Sequence, residues 1–240
     1  MLDWQTGIVV KIEDATTNTR RFWIEAKSKE KFDFKPGQFV TLDLPIHEKK
    51  NKRWRSYSIA STPDGTNVFE LVIVKMPEGA GTTYLFTEVT IGTELSFRGP
   101  QGVFVLPEII DKDLFFICTG TGIAPFRSMV HYIHRNNIPH QNIYLVFGCR
   151  FVKDFLYAEE LHNLEQVMPS FKYLPTCSRE AENNEVRKGY VHLVYEEIIN
   201  GNKPDASFYL CGWKEMIDEA KQRIQQLGYD KRSIHLELYG

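Results

Sequence analysis

The sequence lacks a surplus of charge of either sign and any long apolar run. Its 240 residues carry 29 Lys and Arg against 31 Asp and Glu, a net charge of −2. Nucleic-acid binding rests on a basic surplus that neutralises phosphates. Apolar runs such as 114–118 and 143–147 are far shorter than the roughly 20 residues that a membrane-spanning helix needs. We therefore expect neither a nucleic-acid partner nor a membrane span.

Closely spaced cysteines are also missing. The four cysteines stand at positions 118, 149, 177 and 211, and these spacings do not match the close pairs that bind zinc or an iron–sulfur cluster. We expect reduced thiols and no metal site, so any iron–sulfur chemistry would come from another chain. The first residues lack the basic and apolar stretches of a secretory signal, and we expect a cytoplasmic protein.

The two halves of the chain have different patterns. Up to about residue 106, short β-type runs alternate with turn residues such as Lys35-Pro36-Gly37, which is typical of an antiparallel barrel or sandwich. After Pro107, apolar strands alternate with helix-length segments, as in βαβ units on a parallel sheet. We predict two domains, an antiparallel β domain over residues 1–110 and an α/β domain with a parallel sheet over residues 111–240.

A glycine turn joins a buried strand to a helix in the second half, where residues 115–127 read FFICTGTGIAPFR. Proline suits the first turn of a helix, because the N–H that it lacks would have no partner there. Free N–H groups and the helix dipole make such a junction a site for anions. Pro125 takes the place of the third glycine of the usual dinucleotide fingerprint, and no acidic residue follows about twenty positions on. The turn predicts a different kind of dinucleotide-phosphate site, with a plain tight connection as the alternative.

Two further motifs carry groups that suit a nucleotide or a flat ring. Residues 176–179 read TCSR and residues 187–190 read RKGY, and their cations, hydroxyl and ring suit an adenosine with a 2′-phosphate. A solvated polar loop is the alternative. Arg55 and Tyr57, in the β-type run RSYS, should project from one face of a strand, where they would clamp a pyrophosphate and cover a heterocycle. An ordinary strand also fits that motif.

Taken in order, these motifs resemble the ferredoxin–NADP⁺ reductase family of flavoproteins, almost from end to end. The resemblance implies an FAD-binding Greek-key β-barrel followed by an α/β domain that binds NADP, with NAD as the other candidate. The segments that carry it are PGQF at 36–39, RSYS at 55–58, the loop GTTYL at 81–85, RGPQG at 98–102, GTGIAPFR at 120–127, SR at 178–179, CGWKEM at 211–216 and ELYG at 237–240.

The resemblance also implies roles for single residues. Arg55 would hold the FAD pyrophosphate, which Thr82 would cap, and Tyr57 would stack on the isoalloxazine. The residues implied for FAD are Arg55, Ser56, Tyr57, Ser58, Gly81, Thr82 and Thr83, and those implied for the nicotinamide nucleotide are Gly120, Thr121, Gly122, Pro125, Ser178, Arg179, Lys188 and Tyr190.

Four residues are implied at the reacting centre. Ser58 would hydrogen-bond near flavin N5, and Cys211 would lie beside nicotinamide C4, although a buried core cysteine is the alternative. Glu237 and Tyr239 match the carboxylate and the closing aromatic residue of the plant-type enzymes. Gly240 follows the tyrosine here, which departs from the family pattern.

The resulting hypothesis is an FAD-dependent enzyme that passes electrons from NADPH to a separate ferredoxin or flavodoxin, or in the reverse direction. A basic run at 49–55 would steer an acidic carrier, with a solvated loop as the alternative. The other hypotheses are the reductase component of an oxygenase, a free-flavin reductase, and a flavin-binding regulatory subunit without turnover.

Overall fold

The computed structural model describes residues 3–27, 29–180 and 186–238. The chain divides into two compact units. The barrel unit contains the residues up to Val105 and the segment Ala124–Tyr132, and the sheet unit contains Leu106–Ile123 and the residues from Ile133 onward. Each unit has its own six-stranded sheet.

The barrel unit is built from antiparallel strands. Its elements are β1 (Gln5–Thr16), β2 (Thr19–Ala26), β3 (Phe39–Asp43), β4 (Trp54–Ser58), β5 (Val68–Val74), α1 (Ala80–Thr87) and β6 (Glu94–Gln101). The strands lie in the order β4-β3-β6-β1-β2-β5. The segment after β4 then pairs with β5, through a bridge between Ile59 and Leu71 and a hydrogen bond from Ala60 N to Glu70 O. The sheet therefore closes on itself, and the predicted antiparallel barrel is confirmed.

Alternation along the strands fills the inside of the barrel. In β2 the side chains of Phe22, Ile24 and Ala26 are buried, whereas the intervening residues are partly exposed, because successive side chains of a strand point to opposite faces. The buried set continues on other strands with Val9, Val40, Leu42, Phe69, Leu71 and Phe97.

Residues 81–85, expected as a loop, lie in helix α1, and that expectation was wrong. Glycine and threonine are poor helix formers, so the local sequence gives little helical signal. Leu85 is 1% exposed and belongs to the barrel core. Packing of this side chain compensates for the weak propensity.

The sheet unit contains a parallel sheet with intervening helices. Its strands are β7 (Asp113–Thr119), β8 (Ile143–Cys149), β9 (Phe171–Cys177), β10 (Arg187–Lys188), β11 (Ala206–Gly212) and β12 (Ile234–Leu238); its helices are α3 (Ala158–Val167), α4 (Val191–Asn202) and α5 (Lys214–Gln226), and α2 (Ala124–Arg135) follows β7 in the chain. Within the described ranges, no helix is both long and apolar enough to pass through a membrane.

The strands of this sheet lie in the order β10-β9-β8-β7-β11-β12, and every pairing is parallel. The predicted α/β domain with a parallel sheet is confirmed. The chain runs outward from β7 to β10 and then returns to the other side of β7 with β11. Ligands of such open sheets bind beyond the carboxyl ends of the strands at the point where the order reverses. Thr119 and Gly212, which end β7 and β11, lie at that point.

Candidate functional site

Strand β4 brings Arg55 and Tyr57 to the same side of the barrel sheet. It pairs with β3 so that Arg55 opposes Leu42 and Ser58 opposes Phe39. The Arg55 guanidinium donates to the carbonyls of Lys52 at 3.1 Å and Trp54 at 2.8 Å. Burial raises the pKa of Tyr57 to about 12, and the Arg55 charge opposes that rise. The two side chains are therefore close enough to interact, and the Tyr57 ring stays uncharged at neutral pH.

The two serines of this motif differ in exposure. Ser56 is exposed, with its hydroxyl 3.0 Å from that of Thr41 on the neighbouring strand. Ser58 is 3% exposed. The Ser56 side chain is thus held by the neighbouring strand β3, whereas the Ser58 side chain is buried.

The first turn of α1 lies against the side chain of Arg55. Thr82 Oγ1 donates to Gly79 O at 3.1 Å and accepts from Met76 N at 3.0 Å, which fixes the first turn. Thr83 N donates to Gly79 O, so the N–H groups of the residues before it precede the helical ladder. A Cβ added to Gly81 would lie 3.0 Å from Arg55 Cγ and 3.2 Å from Arg55 Nε.

This arrangement fits a pyrophosphate. Backbone N–H groups at a helix N-terminus and a guanidinium beside them both bind oxyanions. A side chain at position 81 would crowd Arg55 away from this turn, and the chain has glycine there. The barrel residues therefore suit the phosphate part of FAD.

The glycine turn at 120–123 connects β7 to α2. A Cβ on Gly122 would lie only 2.4 Å from Cys211 O. Gly212 has a φ of +142°, and a Cβ there would lie 2.4 Å from Thr119 Oγ1, which accepts from Trp213 N at 3.3 Å. The backbone after β7 thus packs directly against the end of β11. Gly120 has a φ of +54° and open space around its Cα, and Pro125 is the second residue of α2.

Cys211 and Glu237 lie side by side at the same edge of the sheet. They are register partners on β11 and β12. Cys211 is fully buried and Glu237 is partly buried. Tyr239 lies outside the described residues.

The residues predicted to read a 2′-phosphate follow β9 and lie on or next to β10. Ser178 N donates to Cys149 O at 3.0 Å, and Arg179 N donates to Arg150 O at 3.0 Å, so this turn is fastened to the end of β8. Arg179, Lys188 and Tyr190 are exposed.

A pocket of about 350 Å³ lies beside two of these residues. Lys188 and Tyr190 line it, together with Thr176, Arg187, Leu193 and Glu197. Arg187 donates to Glu197 at 2.5 Å, so an ion pair forms part of the pocket's lining. The structure thus brings Lys188 and Tyr190 together on one surface.

A buried ion pair in the barrel unit was missed by the sequence analysis. Glu70 is 2% exposed and accepts from Arg21 Nε at 2.7 Å and from Arg127 Nη1 at 2.9 Å. Arg127 also donates to Ala60 O at 2.9 Å, and Ser128 Oγ donates to Ser61 O at 2.6 Å. The sequence offered two signals for this pair. Glu70 is an acidic residue within the apolar run 68–74, and Arg127 is a basic residue at the end of the 120–127 motif.

Two family models match the chain in sequence. An oxidoreductase FAD-binding domain matches residues 6–106, and an oxidoreductase NAD-binding domain matches residues 116–222. These ranges contain the two candidate anion sites, the Arg55 region in the first and the 120–123 turn in the second.

Several known proteins are similar over nearly the whole chain. Ferredoxin–NADP reductase B of Sorangium cellulosum is 30% identical over 237 residues, which cover 96% of each chain. The glycine betaine monooxygenase reductase subunit of Pseudomonas aeruginosa is 31% identical over 235 residues, but the match spans 63% of that protein. The crystal structure of the Amycolatopsis cytochrome P450 reductase GcoB has a TM-score of 0.88 and 27% identity, and the match covers 99% of this chain and 70% of that one.

Proposed function

The chain belongs to the ferredoxin–NADP⁺ reductase family, with an FAD-binding domain followed by an NAD-binding domain, and we propose that it carries electrons between NADPH and a separate ferredoxin or flavodoxin. In this proposal residues 1–110 form the FAD domain and residues 111–240 form the nucleotide domain. The chain is an oxidoreductase by family; its electron carrier and its preference for NADPH are proposed.

The observation that carries the proposal is the close approach of Arg55 to the first turn of α1, which the lack of a side chain at Gly81 permits. Arg55 and the N–H groups of that turn would hold the FAD pyrophosphate, with Thr82 fixing the turn. Tyr57 would offer its uncharged ring to the flavin, and Ser58 would hydrogen-bond near N5.

Bound FAD supplies the ability to take a hydride from a nicotinamide and to release electrons one at a time. The chain's task is then to bind and orient. The backbone of the 120–123 turn would hold the nucleotide's phosphates at the end of β7. Cys211 would present a small polarizable group to the nicotinamide, next to the carboxylate of Glu237. Tyr239 would be the closing aromatic residue.

NADPH is proposed over NADH because of the cations near the ends of β9 and β10. Arg179 and Lys188 are exposed and can reach a 2′-phosphate, and Tyr190 can cover the adenine. Ser178 adds a hydroxyl on the same turn, which is hydrogen-bonded to the end of β8.

Anaerobic titration of the purified, FAD-loaded protein tests this proposal. NADPH should bleach the flavin absorbance, and NADH should do so only at higher concentration. Protein that takes up no FAD, or whose flavin neither nucleotide reduces, would overturn the proposal. The variant Arg179→Ala should narrow the difference between the two nucleotides without affecting FAD uptake.

The proposed carrier is acidic. Lys49, Lys50 and Lys52 are exposed and lie just before β4, and no ion pair is found for them among the described residues. A cationic surface beside the FAD motif would steer an acidic carrier and make its association depend on salt.

Charge reversal tests this surface. Lys49→Glu, Lys50→Glu and Lys52→Glu together should slow ferredoxin reduction strongly and leave ferricyanide reduction unchanged. A matched triple variant, Lys29→Glu, Lys153→Glu and Lys231→Glu, makes the same change in net charge at exposed positions elsewhere. Equal effects of the two triple variants would contradict docking at this surface.

An oxygenase reductase component is the second candidate. It is favoured by relatives such as the glycine betaine monooxygenase reductase subunit, of which this chain spans 63%. Such a role would show as faster transfer to an oxygenase's iron–sulfur protein than to a free ferredoxin or flavodoxin. Comparing these acceptors at the same ionic strength separates the two candidates.

A further inference from the structure

Two cysteines face each other at the carboxyl ends of adjacent parallel strands. Cys149 on β8 and Cys177 on β9 are register partners, and their Sγ atoms are 3.5 Å apart. Neighbouring strands lie about 4.8 Å apart, within the Cα separation of roughly 4.4–6.8 Å that a disulfide spans. Closing the remaining gap to a bond of about 2 Å requires small side-chain rotations at strand ends.

The two thiols differ in access. Cys177 is fully buried, whereas Cys149 is partly exposed. The Cys149 thiol also donates to Phe151 O at 3.1 Å. A small reagent from solvent therefore reaches Cys149 first, and Cys177 is the buried thiol next to it.

A buried hydroxyl adjoins this pair. Tyr173 is 3% exposed, and its hydroxyl finds no hydrogen-bond partner among the described residues. Tyr173 and Cys177 lie on the same face of β9. Burial, together with the neighbouring Cys118, Cys149 and Cys177, raises the pKa of Tyr173, so its hydroxyl remains a donor. An oxygen atom added to Cys149 would give this donor an acceptor.

The pair is joined to the turn that follows β9. Ser178 N and Ser178 Oγ both donate to Cys149 O, and Gly189 N donates to Cys177 O. Moving either strand end therefore moves the turn that carries Ser178 and Arg179.

We propose that Cys149 and Cys177 are a redox modification site, which peroxide converts to a disulfide and which thereby weakens binding of a 2′-phosphorylated nucleotide at the adjacent turn. The second half of this statement rests on the proposed function of that turn.

The reaction balances with hydrogen peroxide as oxidant. The Cys149 sulfur attacks one peroxide oxygen, so an S–O bond forms, the O–O bond breaks and one water leaves. The Cys177 sulfur then attacks the Cys149 sulfur, the S–S bond forms and the second water leaves with the added oxygen. Two thiols lose two electrons and two hydrogens, and one peroxide becomes two waters.

Burial raises the pKa of both thiols, Cys149 and Cys177. Since the thiolate is the nucleophile, the oxidation should be slow near neutral pH and faster in mildly alkaline solution.

Thiol counting and mass spectrometry test the first half. The chain has four free cysteines; after peroxide treatment, two should remain, the intact mass should fall by two hydrogens, and the peptides carrying Cys149 and Cys177 should be cross-linked. Dithiothreitol should reverse all three changes. Phenylarsine oxide, which bridges neighbouring thiols without oxidising them, should bind the reduced protein.

Single variants identify the pair. Cys149→Ser and Cys177→Ser should each abolish the two-hydrogen loss, whereas Cys118→Ala, at another buried cysteine, should retain it. Tyr173→Phe should slow it. Four thiols left after treatment of the wild type, or oxygen addition without cross-linking, would overturn the proposal, and the wild-type result decides even where a variant fails to fold.

Calorimetric binding of 2′,5′-ADP tests the second half. The disulfide form should bind it at least about fivefold more weakly, the low end of typical coupling between sites, and dithiothreitol should restore the affinity. Equal affinity in both forms would refute the coupling. Reduced protein that does not bind 2′,5′-ADP at all would refute both the coupling and the proposed nucleotide role, while the thiol count would still decide the disulfide.

Discussion

Glu70 and Arg127 form an ion pair at 2.9 Å between β5 and the beginning of α2, within the barrel unit. Glu70 is 2% exposed, and Arg21 binds the same carboxylate from β2. Breaking a buried pair by removing one partner is costly, because the remaining charge keeps its desolvation penalty without compensation.

Glu70→Gln should therefore destabilise the barrel unit by about 3 kcal/mol, since it leaves two arginines facing a neutral amide. Urea unfolding followed by tryptophan fluorescence measures this, because Trp4, Trp23 and Trp54 belong to that unit. Glu13→Gln, which removes a much less buried partner of Arg21, is the control and should change little. Similar effects of both variants would mean that burial of the pair is unimportant.

Arg55→Ala should weaken FAD binding about 10- to 100-fold, the value of a hydrogen bond to a charged group. Gly81→Ala should also weaken it, because the new Cβ would lie 3.0 Å from Arg55 Cγ. Flavin-fluorescence titration of the FAD-free protein gives both affinities.

Gly201→Ala is the matched control for this experiment, since a Cβ at position 201 has no neighbouring atom within 4 Å. It should bind FAD like the wild type. Wild-type affinity in Gly81→Ala would show that FAD binding does not depend on the close approach of Arg55 to α1.

Gly122→Ala should lower the stability of the sheet unit by about 1–3 kcal/mol, the usual cost of overpacking. The new Cβ would lie 2.4 Å from the backbone oxygen of Cys211, and a backbone atom cannot rotate away. Reduction of FAD by NADPH, followed by stopped flow, should slow as well. A variant with wild-type stability and rate would show that the two strand ends are free to separate.

Stability should fall as the pH rises above about 10, in part because of Tyr57. Its pKa in the folded protein is about 12, against about 10 in an unfolded chain. Between these values the unfolded state has lost a proton that the folded state keeps, so rising pH favours unfolding. Tyr57→Phe should reduce the loss between pH 10 and pH 12.

Urea unfolding at several pH values measures this effect. Tyr190→Phe, which removes an exposed phenol, should lose stability with pH like the wild type. An identical loss in Tyr57→Phe would mean that the Tyr57 hydroxyl is not buried in solution.

Most of the fold could be predicted because its signals are periodic and local. The β-type run predicted at 21–25 lies within β2 (Thr19–Ala26), and the proline-started helix predicted from about residue 125 corresponds to α2 (Ala124–Arg135). The glycine turn before α2 was visible because a strand, two glycines and a proline follow one another. Each of these signals lies within a short stretch of the chain, so a single sequence is enough to detect it.

The missed features depend on residues that are distant in the chain. Helix α1 contains Gly81, Thr82 and Thr83 and is stabilised by burial of Leu85 in a barrel built from other segments. The Glu70–Arg127 pair joins residues 57 positions apart. Cys149 and Cys177 become neighbours only when β8 and β9 pair in register. No pattern within a short stretch of sequence predicts such contacts.

One edge strand of the parallel sheet, β10, is two residues long and pairs with Thr176 and Cys177. Arg187 and Lys188 compose it entirely, and both are exposed. If these cations select the coenzyme, that selection depends on side chains that contribute nothing to the hydrophobic core. Substitutions in this edge strand could then exchange one pyridine nucleotide for the other and leave every core side chain unchanged.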